Sequence, residues 1–294
     1  MTEFVVEARG VTKRFKDKTV LDQLDFTLQR GSVTGLLGKN GAGKTTLLKC
    51  MLGLQTAQAG TIMVLGEDSR TLSGTGKARL AYVPQEVSLY PWMKVRQVVA
   101  YTAAFYPRWN SQLIERVMKN WEINPDDKIG PLSTGQLQKL GILLALGHEP
   151  ELLVLDEPVA SLDPSARRQF LATLLDIALT GDRTVLLSTH ITSDLERVAD
   201  RVAILKSGKI DYTDELATLK DSVKRLRINA PSGLPSDLRS LPGMLKCEAN
   251  GKTAVFSLRG FQLDLPERLA RDWSVEVSVE DLNLEEIFLE LHGE

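Results

Sequence analysis

Gly38-Lys-Asn-Gly-Ala-Gly-Lys-Thr-Thr46 is the stretch on which the fold turns. Gly38, Gly41 and Gly43 let backbone N–H groups converge on an anion without side-chain interference. In this pattern Lys44 reaches the β- and γ-phosphates of a nucleotide and Thr45 sets its hydroxyl on Mg²⁺, while Lys39, Asn40, Ala42 and Thr46 complete the cradle. A glycine-rich turn before a helix would look the same in isolation, so the flanks decide. Val33-Thr-Gly-Leu-Leu37 is a short apolar run that reads as a buried strand. Leu47, Leu48, Met51 and Leu52 then mark one face of a helix, whose positive N-terminal end adds to the anion site.

Working outward, Leu152-Leu-Val-Leu-Asp156 is continuously apolar up to its last residue, as a parallel strand covered on both faces would be. Asp156 at such a strand end is placed to hold Mg²⁺, and Glu157 beside it to polarise an attacking water. Thr184-Val-Leu-Leu-Ser188 and Val202-Ala-Ile-Leu205 are further buried strands, with helical pattern at 165–180 and 191–199. Phe4–Ala8 and Leu21–Leu28 alternate apolar and polar residues like half-buried strands. The expectation is an α/β P-loop NTPase core: a mostly parallel sheet, an antiparallel β edge and a helical subdomain inserted at about residues 89–147.

Residues 1–221 form the expected nucleotide-binding domain, and 222–294 a small α+β appendix. Within the appendix Arg225–Ile228 reads as a strand, and Asn250-Gly251 as the turn of a hairpin between 244–248 and 253–258. Gln262–Arg271 reads as a helix, Trp273–Val279 as a strand and Leu282–Leu291 as an acidic amphipathic helix.

The composition narrows the function classes. With 36 basic and 38 acidic residues the net charge is −2, so no basic excess points to nucleic acid, and no nucleic-acid partner is expected. Two cysteines, Cys50 and Cys247, are too few for a disulfide framework and lack metal-ligand spacing. The N-terminus carries no signal-peptide pattern, and no apolar run reaches bilayer length. If the chain serves a membrane, it does so by docking.

The motifs together resemble the ATP-binding cassettes of ABC ATPases. Leu132-Ser-Thr-Gly-Gln136 is similar to the family's signature peptide, with Thr134 where glycine is usual. Gln85 in Tyr82-Val-Pro-Gln, Ser161-Leu-Asp163 and His190 follow in the family's order, and Phe15 stands where the family has its adenine-stacking aromatic. An aromatic beside a strand is also ordinary core, and a lone histidine is more often structural than catalytic. The resemblance spans residues 4–220. It implies ATP and Mg²⁺ as ligands, with Glu157, His190 and Gln85 catalytic and Thr45, Gln85 and Asp156 at the metal. It implies that Ser133, Thr134, Gly135 and Gln136 contact ATP held by a second cassette, with Asp163 at the seam of that dimer, expected to be a homodimer. Lys39 stands where proline is frequent; a cation there is tolerable near phosphate, and a solvated loop side chain is the plainer reading, while Val159-Ala160 stand where Thr-Ser is frequent and put no catalytic role in doubt.

A single cassette without a membrane span implies a separate integral membrane permease and a peripheral place on the cytoplasmic face of the membrane. Tyr90 and Trp92 lie where the family receives its membrane partner, and reading them as helical-subdomain core is equally open. Phe105–Trp109, Asp194–Asp200 and Val279–Phe288 look like bacterial drug- or antibiotic-peptide exporter ATPases, which favours export. The alternative is a soluble ABC ATPase of translation, DNA maintenance or assembly; twin cassettes, a coiled coil or a basic face would mark it, and none is seen. For the appendix, a dimer brace is favoured over a ligand-binding module, since no ligand motif occurs there.

Overall fold

Two antiparallel strands, β1 (Phe4–Phe15) and β2 (Lys18–Gln29), lead into β3 (Val33–Leu37), all five of whose residues are buried, and the glycine loop then carries the chain into α1 (Lys44–Met51). The computed structural model describes residues 3–160, 162–179, 183–236 and 238–292. Ser161, read above with Leu162 and Asp163, lies outside the described residues. Next come β4 (Ala59–Val64), the short β5 (Glu67–Asp68), α2 (Gly74–Ala78) and β6 (Leu80–Val83). Then α3 (Val95–Ala103), α4 (Ser111–Asn120) and α5 (Thr134–Leu146) separate β6 from β7 (Leu152–Asp156). The run α6 (Pro164–Leu179), β8 (Thr184–Thr189), α7 (Thr192–Val198), β9 (Arg201–Lys206) and β10 (Lys209–Glu215) follows.

Among the described residues these strands build two sheets. One is antiparallel, in the order β2-β1-β4-β5, and the other runs β10-β9-β3-β8-β7-β6 with parallel pairing from β9 through β6. α1 lies in the core these sheets share: Leu47, Leu48 and Met51 pack with Val6, Leu24 and Phe26 of one sheet and Leu36, Val154 and Leu186 of the other. This placement follows from alternation along each strand. Leu36, Leu152, Val154 and Leu186 face α1, so Asp156 and Ser188, two residues on, face the same way. On the opposite face of β3, Gly35 leaves room for Leu195 of α7, whose Cδ1 would sit 2.6 Å from a Cβ at that position.

The chain divides into two units, Met1–Thr213 and Asp214–Glu294, rather than at the 221/222 boundary expected. α8 (Leu216–Ser222) packs on β11 (Val223–Asn229) and so belongs with the second unit. That unit continues with β12 (Met244–Asn250), β13 (Thr253–Arg259), α9 (Leu265–Trp273), β14 (Glu276–Asp281) and α10 (Leu284–His292). Its strands pair antiparallel in the order β12-β13-β11-β14. Leu226, Ile228, Phe256 and Leu258 pack against Leu265 and Leu269 of α9.

Two local expectations shift. Trp273 closes α9 instead of opening a strand, because Ser274 takes a left-handed conformation (φ 51°) and ends the helix, so β14 starts at Glu276. The hairpin turn centres on Gly251-Lys252, since Asn250 still pairs with Thr253. Gly251 thereby takes the first central position, where a tight hairpin needs the positive φ (60°) that glycine supplies.

Candidate functional site

Three strand ends meet at the glycine loop. β3 delivers the loop, and β7 and β8, hydrogen-bonded neighbours in the same sheet, end beside it at Asp156 and Thr189. Gly41 (φ 79°) and Gly43 (φ 111°) hold conformations that a side chain would strain, which bends the loop around its own interior. No side chain caps the N-terminus of α1, and no acidic residue sits in its first turn. Its first N–H groups therefore face the loop as an uncommitted positive end.

A cavity of about 540 Å³ opens over this end. Of the residues named from sequence, Phe15, Lys39, Asn40, Gly41, Gly43, Lys44, Thr45, Thr46, Gln85, Glu157 and His190 line it. Gly38, Ala42 and the buried Asp156 do not line it. The Gly38 carbonyl accepts a hydrogen bond from Lys44 Nζ at 2.8 Å, and Ala42 N–H donates to the Lys39 carbonyl at 3.0 Å. Phe15 is no core residue: it ends β1 at the tip of the β1–β2 hairpin, is 44% exposed and lies under Lys13, with Nζ 4.9 Å from the ring centroid. Lys18 and Val20 of β2 complete that wall and were not anticipated; the available signal was that a tight hairpin sets Lys18 opposite Phe15.

The chemistry centres on Glu157, which is 6% exposed. One carboxylate oxygen lies 3.2 Å from Lys44 Nζ and the other 2.8 Å from His190 Nδ1. The carboxylate accepts, so Nδ1 carries the proton. The backbone at Glu157 is left-handed (φ 49°), and its N–H donates to both the carbonyl (3.0 Å) and the Oγ (3.1 Å) of Ser188. Ser188 Oγ donates in turn to Asp156 at 2.7 Å. The other Asp156 oxygen accepts from the Tyr82 hydroxyl at 3.4 Å. Burial and the nearby Asp156 charge push the Tyr82 phenol well up, so it stays a donor. Ser188 was missed from sequence, although Ser188 and Asp156 are register partners on one face.

The histidines sort by surroundings. His148 is buried, stacked on Tyr106 with centroids 4.0 Å apart, and bonded through Nε2 to the Leu80 carbonyl; His292 bonds the Phe288 carbonyl. His190 is the histidine that lines the nucleotide-sized cavity. Thr45, Asp156 and Gln85 offer hydroxyl, carboxylate and amide oxygens, the hard donors Mg²⁺ takes, and a single carboxylate suits an ion that draws its other ligands from phosphate and water.

Ser133, Thr134, Gly135 and Gln136 do not reach this cavity. Ser133 Oγ accepts from Gln136 N–H (3.3 Å) and the Gln136 side chain accepts from Ser133 N–H (2.9 Å), a reciprocal cap on α5, and both side chains are exposed. Asp163 caps α6 by accepting from the N–H groups of Ser165 and Ala166. The Ala166 bond chiefly holds its carboxyl below the usual range. Tyr90 and Trp92 are not core either: they are 41% and 70% exposed and join Tyr101 and Phe105 in a chain of ring contacts with centroids 5.1–5.6 Å apart.

A family model described as ABC transporter matches residues 21–160. The chain is 34% identical to the Nod factor export ATP-binding protein I of Burkholderia lata over 98% of its own length and 97% of that protein's. It is 32% identical to the protein of the same name from Neorhizobium galegae, over 98% and 85%. Among solved structures, an ATP-binding subunit of an ABC transporter superposes with a TM-score of 0.68 at 27% identity, covering 74% of this chain and 92% of that one. A dimeric post-hydrolysis cassette bound to ADP and Pi shares the fold, with a TM-score of 0.64 at 21% identity over 72% and 98%.

The Ser188 bridge generates a prediction. Ser188→Ala strips donors and acceptors from buried Asp156 and Glu157 and lowers unfolding stability by about 1–3 kcal/mol in denaturant titration. It also lowers ATPase turnover while leaving Mg²⁺-free ATP binding intact, because the glycine loop is untouched.

Proposed function

Because the chain belongs to the family of ABC transporter ATP-binding proteins, as the subunit that binds and hydrolyses ATP, we propose that it works as one half of a cassette pair driving export through a separate membrane protein. The observation that carries the mechanism is the double engagement of Glu157 by Lys44 and His190. Lys44 is a buried cation whose counter-charge is Glu157, and ATP brings a stronger one. Entering phosphates take Lys44 through its ammonium and fill the N–H groups of the loop and of α1. Glu157 is then released toward the water that attacks the γ-phosphate, and accepts its proton.

His190 stays hydrogen-bonded near the γ-phosphate and orients that water, and Gln85 senses the phosphate from the edge of the cavity. Thr45, Asp156 and Gln85 would hold Mg²⁺, which when bound would offset charge on the transferred phosphoryl group. Phe15, exposed at the cavity mouth, stacks on adenine. Ser133–Gln136 and Asp163 serve the ATP of a second copy. Ser133, Thr134, Gln136 and Asp163 are exposed, and none of the five lines its own chain's cavity, which supports that reading.

The membrane partner docks on the exposed aromatic run Trp92, Tyr90, Tyr101 and Phe105, since such a contiguous apolar patch is uncommon on a solitary surface. Among the described residues no helix is long and apolar enough to cross a membrane. A peripheral place at the cytoplasmic face of the membrane is supported by the names of the relatives, ATP-binding proteins of an export system. Export as the direction is supported by the names of the relatives.

Two outcomes test this reading. Glu157→Gln binds ATP and accumulates as a dimer in light scattering, because hydrolysis no longer releases the pair; turnover at the parent rate would remove Glu157 as the base. Trp92→Ala with Phe105→Ala abolishes co-purification with a polytopic membrane protein and leaves the soluble ATPase activity unchanged. Undiminished co-purification would place the docking surface elsewhere.

A further inference from the structure

α6 and α7 begin beside two of the residues assigned to the site, Asp163 and His190. α6 starts immediately after Asp163, which caps it, and α7 starts two residues after His190. Their first turns face each other through Arg167 and Asp194, whose Nε and Oδ2 are 3.6 Å apart. Asp194 is only 6% exposed. Both facing atoms are shut off from solvent, and no hydrogen bond reaches either of them.

This is an expensive way to join two helices. The Asp194 carboxylate is desolvated while the Arg167 side chain keeps 27% of its surface exposed, and apolar residues of similar volume are commonly as stable as a buried charge pair or more so. Burial accordingly pushes the Asp194 carboxyl up, against the pull of Arg167 and of Arg197 on its own helix. The pair also stands just beyond the 2.7–2.9 Å of a charge-assisted hydrogen bond, so a small approach of α6 to α7 completes it. α7 is meanwhile pinned to β3 by Leu195 over Gly35, which leaves the His190 end as the part able to respond.

We propose that Arg167 and Asp194 are a positioning pair: they set the His190 ring against Glu157 and transmit to it the position of α6, and so of Asp163. The link runs from Asp163 through the first turn of α6, across Arg167 and Asp194, to the first turn of α7 and His190, whose Nδ1 lies 2.8 Å from Glu157. The inference rests on the reading of Glu157 and His190 as catalytic and Asp163 as the seam.

The test uses the full chain and its three histidines, which make the imidazole region of a ¹H–¹⁵N spectrum simple to assign. Arg167→Met with Asp194→Asn removes both charges together, so no buried charge is left alone and the fold survives; Arg167→Lys is the conservative partner. The neutral pair shifts the His190 ring signals, leaves those of His148 and His292 in place, and lowers ATPase kcat about tenfold with KM within about twofold. Arg167→Lys restores most of the kcat. An unmoved His190 signal in the folded neutral pair overturns the proposal whatever the activity, and so does an undiminished kcat. His190→Ala at the parent rate would instead sink the catalytic reading of His190, while the spectrum still decides whether the pair positions the ring.

Discussion

Lys44 is a buried ammonium that must always have an anion, and the structure is organised around which anion that is. The loop gives the ammonium one neutral acceptor, the Gly38 carbonyl at 2.8 Å, and no acidic side chain caps α1, so neither supplies a counter-charge. Glu157, equally buried, is the carboxylate within reach, at 3.2 Å. Removing one member of such a pair without replacement costs about 3–5 kcal/mol, so neither side chain is free to leave alone. A nucleotide phosphate is a replacement. Binding and readiness for hydrolysis are thereby one event in this account: the charge that captures ATP is the charge that had restrained the base.

The sheet makes this exchange possible. Parallel strands end on the same side, and β3, β8 and β7 are neighbours in that order, so Gly38, His190 and Glu157 follow strand ends that converge. Period-two alternation then turns Asp156 and Ser188 toward α1. Ser188 binds the side chain of one acid and the backbone of the next, which fixes Glu157 in its left-handed conformation at the mouth of the cavity. The helices behind the sheet carry the geometry outward, α7 from His190 and α6 from Asp163.

Much of this was legible in the chain because it is local. The glycine loop between an apolar strand and a helical face, and the acid pair closing Leu152–Asp156, are short-range patterns with few alternatives. What sequence left open depends on where side chains end up in space. Phe15, Tyr90 and Trp92 could each have been core, since an aromatic in sequence carries no mark of exposure; hairpin geometry and the contacts to Tyr101 and Phe105 decide them. Trp273 looked like a strand residue because alternation over a few positions cannot register that Ser274 turns left-handed. Ser188 was invisible for another reason: its importance lies in being opposite Asp156, and register is not written in either strand alone.

The most direct test of the exchange is a crystal structure of the full chain with Mg²⁺ and a non-hydrolysable ATP analogue. The account predicts that Lys44 Nζ leaves Glu157 for the β- and γ-phosphate oxygens, while His190 keeps its hydrogen bond and Glu157 turns an oxygen to the position of the attacking water. Nucleotide bound with Lys44 still seated on Glu157 would contradict it.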